Sequence, residues 1–294
     1  LKQLLAMAFG IVLARLLSPG DYGLVGMLTI FSALAGALQE GGFISALNKR
    51  QHISRADYNA VFLFNVLVSL AIYALLFFSA PLIAAYFREP ALVPLSRVVF
   101  LGFVITSLNI VPRAYMFREL KVKQNALILL IAQLLSGIIG VVLVVMGYSY
   151  WGLAIQSLSY VSVVTISCYL VTHWKPSLSI DLKPVREMFG YSSLLILTNI
   201  FTIVHQNIVP LILVRQFGKV PAGYFTQANK WQLMGQSTLQ AMLYGVSQPV
   251  FAKTEGDPAR QLAILRKLLR FIAMVSFPAM LGLMLIAPEF IFIT

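Results

Sequence analysis

A stripe of amide side chains runs along a long apolar stretch of the sequence. Residues 222–251 are mostly apolar, yet they carry Asn229, Gln232, Gln236 and Gln240 at intervals of three, four and four residues. Side chains at these intervals share one face of an α-helix. Primary amides both donate and accept hydrogen bonds, so such a stripe can line a water-filled passage. Lys230 borders the stripe and places a positive charge within the same apolar stretch.

Polar side chains in other apolar stretches extend this candidate site. Burying such groups in a bilayer is costly unless they face protein or water, so each one marks a functional candidate. His205 and Glu40 are also candidates for ion coupling, because imidazole and carboxyl groups can carry protons. The predicted substrate-contacting or lumen-lining residues are Arg15, Gln39, Glu40, Asn199, Gln206, Asn207, Arg215, Asn229, Lys230, Gln232, Gln236 and Gln240.

Each candidate also has a simpler interpretation. Amide stripes can hold two helices together through hydrogen bonds. Lys230 can extend its charge to the membrane surface if its helix begins one turn later. A single histidine such as His205 can be merely hydrogen-bonded, and Arg15 and Arg215 can anchor helix ends at the interface. The sequence leaves both interpretations open.

The composition predicts an all-α protein that crosses a bilayer many times. Hydrophobic residues make up 59% of the chain, charged residues only 11%, and the mean hydropathy is +0.85. A single Cys168 excludes an internal disulfide, and no His or Cys cluster has metal-ligand spacing, so we expect neither metal nor cofactor. Apolar runs long enough to span a membrane predict nine spans: Leu1–Leu17, Tyr22–Leu47, Ala60–Phe87, Leu95–Phe117, Asn125–Gly147, Trp151–His173, Gly190–Phe217, Ala222–Phe251 and Leu268–Thr294.

The distribution of charge predicts the orientation. The net charge of +12 could indicate nucleic-acid binding. However, fifteen Lys and Arg residues lie at the second, fourth, sixth and eighth connections, against five at the odd ones. The positive-inside rule therefore puts the even connections and the N-terminus in the cytoplasm. One basic connection, which opens with Asp257 and Pro258, predicts a short amphipathic helix on the inner leaflet.

Local sequence signals predict a hinge between the first two predicted spans. Ser18 can cap a new helix, Pro19 suits its first position, and Asp21 stands three residues after the cap. The second helix is therefore predicted to begin at the turn itself.

This hinge is repeated about two hundred residues later. Arg15 corresponds to Arg215 and Tyr22 to Tyr224, with offsets of 200 and 202. A second repeated segment pairs Pro81 with Pro288, at an offset of 207. Offsets that grow slowly are typical of a duplicated unit with small loop insertions, so we expect two copies of one helical unit.

Five segments resemble the polysaccharide transporter family. This family is the O-antigen and exopolysaccharide flippase branch of the multidrug, oligosaccharidyl-lipid and polysaccharide exporter superfamily. The resemblance runs along essentially the whole chain. It rests on LARLLSPGDYGLVGM (13–27), GGFISALNKRQHIS (41–54), SAPLIAAYF (79–87), VPRAYMFRELKVK (111–123) and AGYFTQANK (222–230).

The resemblance implies a two-lobed transporter of twelve or more spans, with a parallel internal repeat. It divides this chain into a six-span lobe (1–173), a cytoplasmic linker (174–189) and the start of a second lobe (190–294). It also implies alternating-access export of an undecaprenyl-pyrophosphate-linked oligosaccharide across the bacterial inner membrane. Membrane lipids, a polysaccharide polymerase and chain-length machinery are the other implied partners. Because the chain lacks an initial Met and stops within an apolar run, we expect it to be part of a longer protein.

Two other functions stay open. A cation-coupled drug or metabolite antiporter of the same superfamily would need buried carboxylates, and Glu40 is the one plausible acid within a span. A membrane glycosyl polymerase or ligase would need catalytic groups on large extracytoplasmic loops. The odd connections offer only Asp21 and Glu89 on short turns. The sequence therefore favours a transporter over an enzyme.

Overall fold

Regular secondary structure in the described part of the protein is entirely helical. The computed structural model describes residues 2–40, 54–119, 121–177, 193, 197–205, 208–209, 212–213, 215–233 and 258–293. No strand occurs in these ranges. The helices are α1 (Lys2–Leu16), α2 (Pro19–Glu40), α3 (Arg55–Phe87), α4 (Leu92–Arg118), α5 (Val122–Val145), α6 (Tyr150–Thr172), α7 (197–205), α8 (219–233) and α9 (Pro258–Ile293).

The predicted hinge between α1 and α2 is confirmed. α2 begins at Pro19, and the backbone N–H of Asp21 donates to the Ser18 hydroxyl oxygen at 3.3 Å. The Asp21 carboxylate in turn accepts from the Ser18 backbone N–H at 2.9 Å and from its hydroxyl at 2.6 Å. These reciprocal bonds satisfy donors that the first turn of a helix leaves unpaired.

A second capping box sets the start of α3. The Ser54 hydroxyl oxygen accepts from the Asp57 backbone N–H at 3.2 Å, and the Asp57 carboxylate accepts from the Ser54 N–H at 2.8 Å. The spacing of Ser54 and Asp57 predicts a capping box ahead of the span from Ala60, and the helix does begin there, at Arg55. The resulting 33-residue helix is about 50 Å long, so it extends beyond the hydrocarbon layer.

The helices α1 to α6 pack through small residues and a few interhelical hydrogen bonds. A Cβ at Gly137 of α5 would overlap the ring of Phe9 on α1, which shows how closely those helices approach. α6 is tied to α4 where the Tyr169 hydroxyl donates to the Leu108 carbonyl at 2.9 Å and the Thr165 hydroxyl to the Ile105 carbonyl at 3.3 Å. These contacts give the first part of the chain a fixed helical frame.

The chain is a multi-pass membrane protein. Within the described part of the chain, five helices are long and apolar enough to cross a bilayer: Pro19–Leu38, Arg55–Phe87, Leu92–Phe117, Val122–Val145 and Tyr150–Thr172. Large apolar side chains stand on their outer surfaces, as at Phe78 (76% exposed) and Leu82 (72%). Such surfaces suit lipid tails. The total of nine spans stays a prediction.

The connections of the first part of the chain alternate between two ends of the helices. At one end, which we call the hinge end, the Ser149 hydroxyl donates to the Asp21 carboxylate, and Lys219 pairs with Glu89. At the other, the basic end, Trp174 contacts Phe62, and the backbone N–H of Ser177 donates to the Asn59 side-chain oxygen at 3.1 Å. Odd connections thus share one end, as the predicted alternation of spans requires.

Two compact units make up the chain, residues Leu1–Thr226 and Gln227–Thr294. α9 lies in the second unit and runs without a break from Pro258 to Ile293. The separate amphipathic helix predicted at its start is instead the first part of this helix, because no glycine or proline interrupts residues 259–277. The predicted linker 174–189 is described only to residue 177, so its role stays a prediction.

Candidate functional site

A cavity lined by both polar and apolar residues lies between α2 and α7 in the first unit. Its volume is about 290 Å³. The lining includes the hydroxyls of Ser32 and Thr202 and the amide of Asn199, and Gly36 leaves the wall open. Thr202 also donates to the Thr198 carbonyl at 2.9 Å, so its hydroxyl oxygen can still accept from a ligand. The cavity therefore presents neutral hydrogen-bonding groups between the two helices.

The helix α2 also crosses the first two turns of α8 at the hinge end. A Cβ at Gly23 would overlap the carbonyl oxygen of Lys219, and one at Gly223 would overlap the carbonyl oxygen of Pro19. A Cβ at Gly26 would lie 2.5 Å from the Thr226 hydroxyl oxygen. The backbones can approach this closely only because glycine has no side chain.

These contacts define the internal repeat more accurately than the sequence did. Residue 23 meets 219, residue 223 meets 19, and residue 26 meets 226, so a constant offset of 200 relates the two sides. At this offset the residue equivalent to Tyr22 at the crossing is Ala222, two positions before the predicted counterpart Tyr224. Tyr22 is 7% exposed and Tyr224 is 64% exposed.

Two basic side chains, Lys219 and Arg215, contact residues of α3 and the α3–α4 turn at the hinge end. The Lys219 ammonium lies 3.0 Å and 3.2 Å from the two carboxylate oxygens of Glu89, in the turn between α3 and α4. The predicted site residue Arg215 places its guanidinium 5.1 Å from the centre of the Tyr86 ring, within cation–π range. Its partner in the repeat, Arg15, is an exposed residue in the last turn of α1.

Two residues of the amide stripe, Asn229 and Gln232, and the bordering Lys230 lie on α8 in the second unit. Asn229 and Lys230 are half-buried and Gln232 is exposed. The Lys230 ammonium lies 5.9 Å from the centre of the neighbouring Trp231 ring. α8 begins at residue 219, three residues before the predicted start, so Lys230 lies about 16 Å along the helix.

The remaining candidates are only partly described. His205 is an exposed residue at the end of α7. Gln39 and Glu40 belong to the last turn of α2, but their side chains lie outside the described part. Gln206, Asn207, Gln236 and Gln240 also lie outside the described residues. Of the predicted site residues, the structure thus places Asn199 in the cavity.

The structure reveals a second polar cavity that the sequence pattern did not indicate. It measures about 280 Å³ and lies between α5 and α6. Its polar lining residues are Gln133, Ser136, Gln156, Ser157 and Tyr160. The sequence showed only scattered polar groups here, because no single helix carries a stripe. Only the pairing of the two helices brings the polar groups together.

Residues 12–294 match the family model for polysaccharide biosynthesis proteins. The chain belongs to that family. The resemblance noted from the sequence is therefore confirmed. Among curated proteins, the chain is 26% identical over 286 residues to the lipopolysaccharide biosynthesis protein WzxC of Escherichia coli (strain K12), covering 95% of this chain and 57% of that one. It is 24% identical over 277 residues to the succinoglycan biosynthesis transport protein ExoT of Rhizobium meliloti (strain 1021), with coverages of 94% and 56%.

A solved structure supports the fold. The chain superposes with a TM-score of 0.74 on an inward-facing multidrug-resistance MATE family transporter of the MOP superfamily. The two are 18% identical, and the match covers 98% of this chain and 71% of the transporter. The polysaccharide biosynthesis protein described here thus has the helical transporter fold of that superfamily. It spans only a little over half the length of the curated relatives.

Proposed function

We propose that this chain is part of a flippase that moves an undecaprenyl-pyrophosphate-linked oligosaccharide across the bacterial inner membrane. The glycan would serve O-antigen, capsule or exopolysaccharide synthesis. The observation that carries the proposal is the cavity between α2 and α7, where Ser32, Asn199 and Thr202 offer neutral polar groups. Hydroxyl and amide groups are suited to sugar hydroxyls. Membership of the polysaccharide biosynthesis family supports that choice of ligand.

The proposed substrate combines neutral sugars with an anionic pyrophosphate. Lys230 would attract the pyrophosphate from its position on α8, and Arg15 and Arg215 would act near the hinge end. The remaining stripe of Gln and Asn residues would contact sugars. Glu40 and His205 stay candidates for coupling transport to an ion gradient.

The basic end would face the cytoplasm in this proposal. Arg55, Lys121, Lys123 and Lys175 belong to the connections at that end, and the positive-inside rule assigns such connections to the cytoplasm. The N-terminus would then be cytoplasmic, and the hinge end would face the outside. A polymerase and chain-length machinery would receive the translocated unit there.

The first test is to locate the lipid-linked oligosaccharide in cells that lack the gene. We expect completed repeat units to accumulate on the cytoplasmic face of the inner membrane, and the full-length gene to restore their transfer. Completed units that reach the outer face but remain unpolymerised or unattached would contradict the proposal. That result would indicate a polymerase or ligase, since translocation would be intact.

A further inference from the structure

The cavity between α5 and α6 lies halfway along both helices, on the side of α5 that is turned away from lipid. Gln133 is near the midpoint of the 24-residue helix α5, and Tyr160 is near the midpoint of the 23-residue helix α6. The exposed apolar side chains of Leu135 and Val142 lie on the opposite face of α5 from Gln133. Polar groups at the middle of a span are costly unless they face protein, water or a ligand. The polar lining therefore marks a candidate binding site inside the first unit.

A positive charge stands at the wall of this cavity. The ammonium of Lys2 on α1 lies 5.4 Å from the centre of the Tyr160 ring, which lines the cavity. Close packing of α1 on α5 brings Lys2 there, because the Phe9 ring fills the space that a Cβ at Gly137 would take. Among the described residues, the lining contains no carboxylate that could neutralise the charge. The cavity thus combines neutral polar groups with a cation.

The neutral groups of the lining suit a ligand that carries several hydroxyl groups. The hydroxyls of Ser136 and Ser157 donate to carbonyls of their own helices at 3.4 Å and 2.7 Å, so their oxygens can still accept from a ligand. The Gln156 side chain packs over Gly140, where a Cβ would lie only 2.9 Å from the Gln156 Cβ. The glycine therefore makes room for this amide at the cavity wall. The amides of Gln133 and Gln156 can both donate and accept, as sugar hydroxyls do.

We propose that this cavity is a subsite for an acidic sugar of the transported glycan, a sugar that carries a carboxylate. The proposal rests on the proposed flippase function, because it names one part of that substrate. The hydroxyl and amide groups bind the sugar ring, and Lys2 binds the carboxylate through a charge-assisted hydrogen bond. An unpaired carboxylate is costly to bring between membrane helices, so the cation makes the cavity selective for acidic sugars over neutral ones. The pyrophosphate is the other anionic group of the substrate, and two matched lipids distinguish it from the sugar carboxylate.

Lipids that differ by one carboxylate test the subsite. The purified full-length protein is placed in liposomes with a fluorescent undecaprenyl-pyrophosphate disaccharide that ends in either glucuronic acid or glucose. The initial flipping rate of each is measured by dithionite bleaching, at a lipid density well below saturation. Lys2→Gln should slow the glucuronic acid lipid about tenfold or more, which is the usual worth of a hydrogen bond to a charged group. It should leave the glucose lipid unchanged, which also shows that the variant is folded. Lys2→Arg keeps the charge and should keep most of the rate for both lipids.

The outcomes separate the subsite from the proposed function. An equal loss for both lipids in Lys2→Gln would overturn the subsite, because Lys2 would then act on the shared pyrophosphate or support the structure through Tyr160. Unchanged rates for both lipids would overturn it as well, and so would a wild-type protein that flips only the glucose lipid. In each of these cases flipping by the wild-type protein leaves the proposed function intact. A wild-type protein that flips neither lipid would contradict the flippase function itself.

A glycine substitution tests the neutral part of the subsite. Gly140→Ala places a methyl group 2.9 to 3.1 Å from three carbons of the Gln156 side chain, so the amide must leave its position. We expect slower flipping of both lipids by a similar factor, since glucose and glucuronic acid share the ring hydroxyls that the amide binds. Gly102→Ala is the matched control, because a methyl group there would lie 3.9 Å from the Leu158 side chain, an ordinary contact. An immunoblot of isolated membranes verifies equal amounts of both variants. Equal flipping by the two would show that the Gln156 amide binds no sugar, contrary to the proposal.

Discussion

Gly23 and Gly223 occupy equivalent positions in the crossing of α2 and α8, each pressed against a backbone carbonyl of the other helix. Two hundred residues separate them in sequence, which is the offset of the duplicated hinge. The repeat is thus visible in the structure as well as in the sequence, since its two copies contact each other through equivalent residues. This relationship places the start of α8 directly beside the helix that lines the polar cavity.

The cavity residue Asn199 is expected to contact substrate. Asn199→Leu removes an amide that can bind sugar hydroxyls while keeping a side chain of similar size. In the full-length protein we expect a large loss of surface polysaccharide with an unchanged amount of protein in the membrane. Phe201→Leu is the control, because this exposed side chain on the same helix does not line the cavity. Normal polysaccharide from Asn199→Leu would exclude the amide from the transport path.

The charge of Lys230 is expected to matter more than its shape. Lys230→Ala should abolish surface polysaccharide, whereas Lys230→Arg should keep much of it, because a guanidinium can also pair with pyrophosphate. Both variants should reach the membrane in normal amounts, as an immunoblot of isolated membranes would verify. If the alanine variant exported normal polysaccharide, Lys230 would be only a structural cation beside Trp231.

The capping boxes are expected to stabilise the helix starts. Ser18→Ala and Ser54→Ala should each lower the free energy of unfolding by about 0.5 to 2 kcal/mol, because the first turn would lose its acceptor. The measurement is denaturant unfolding of the purified full-length protein in detergent. Ser162→Ala is the control, since that hydroxyl only donates to the Leu158 carbonyl within α6 and should have little effect. A loss of equal size in all three variants would refute a special role for the caps.

The cavity between α5 and α6 is expected to contain water. In a Cys168→Ala background, Ser157→Cys should react with a water-soluble thiol reagent, because Ser157 lines the cavity. Ile166→Cys, further along α6, is the control. The apolar Ile166 side chain is 60% exposed, so lipid should shield a cysteine at this position. Mass spectrometry after labelling of intact membranes distinguishes the two. Equal labelling would show that the cavity is not a separate aqueous space.

Local chemistry explains which features the sequence predicted well. Ser18, Pro19 and Asp21 act within one turn, so their spacing alone predicted the start of α2. The bond between Asp21 and Ser149 joins residues 128 positions apart, and no local pattern could indicate it. The same limit hid the polar cavity between α5 and α6, because each helix there carries too few polar groups to form a stripe. Predicting such a site requires knowledge of which helices pack together.

Burial was the other property that the sequence could not supply. Tyr22 and Tyr224 look like counterparts in the two hinges, but one is buried and the other is exposed. Gly23 and Gly223 are the counterparts at the crossing. A glycine in a sequence does not show which neighbouring group occupies the space that a side chain would take. The polar face of α7 was more predictable, since Asn199 and Thr202 are spaced for one face and both line the cavity.

Reconstituted flipping is the most direct test of the central claim. The purified full-length protein would be placed in liposomes that carry a fluorescent undecaprenyl-pyrophosphate-linked oligosaccharide in both leaflets, and dithionite added outside would bleach the accessible lipid. Flipping exposes the inner-leaflet lipid, so the account predicts nearly complete bleaching with the wild-type protein and much slower loss with Asn199→Leu. Bleaching that stops at the outer leaflet in wild-type vesicles, as in protein-free ones, would contradict the account.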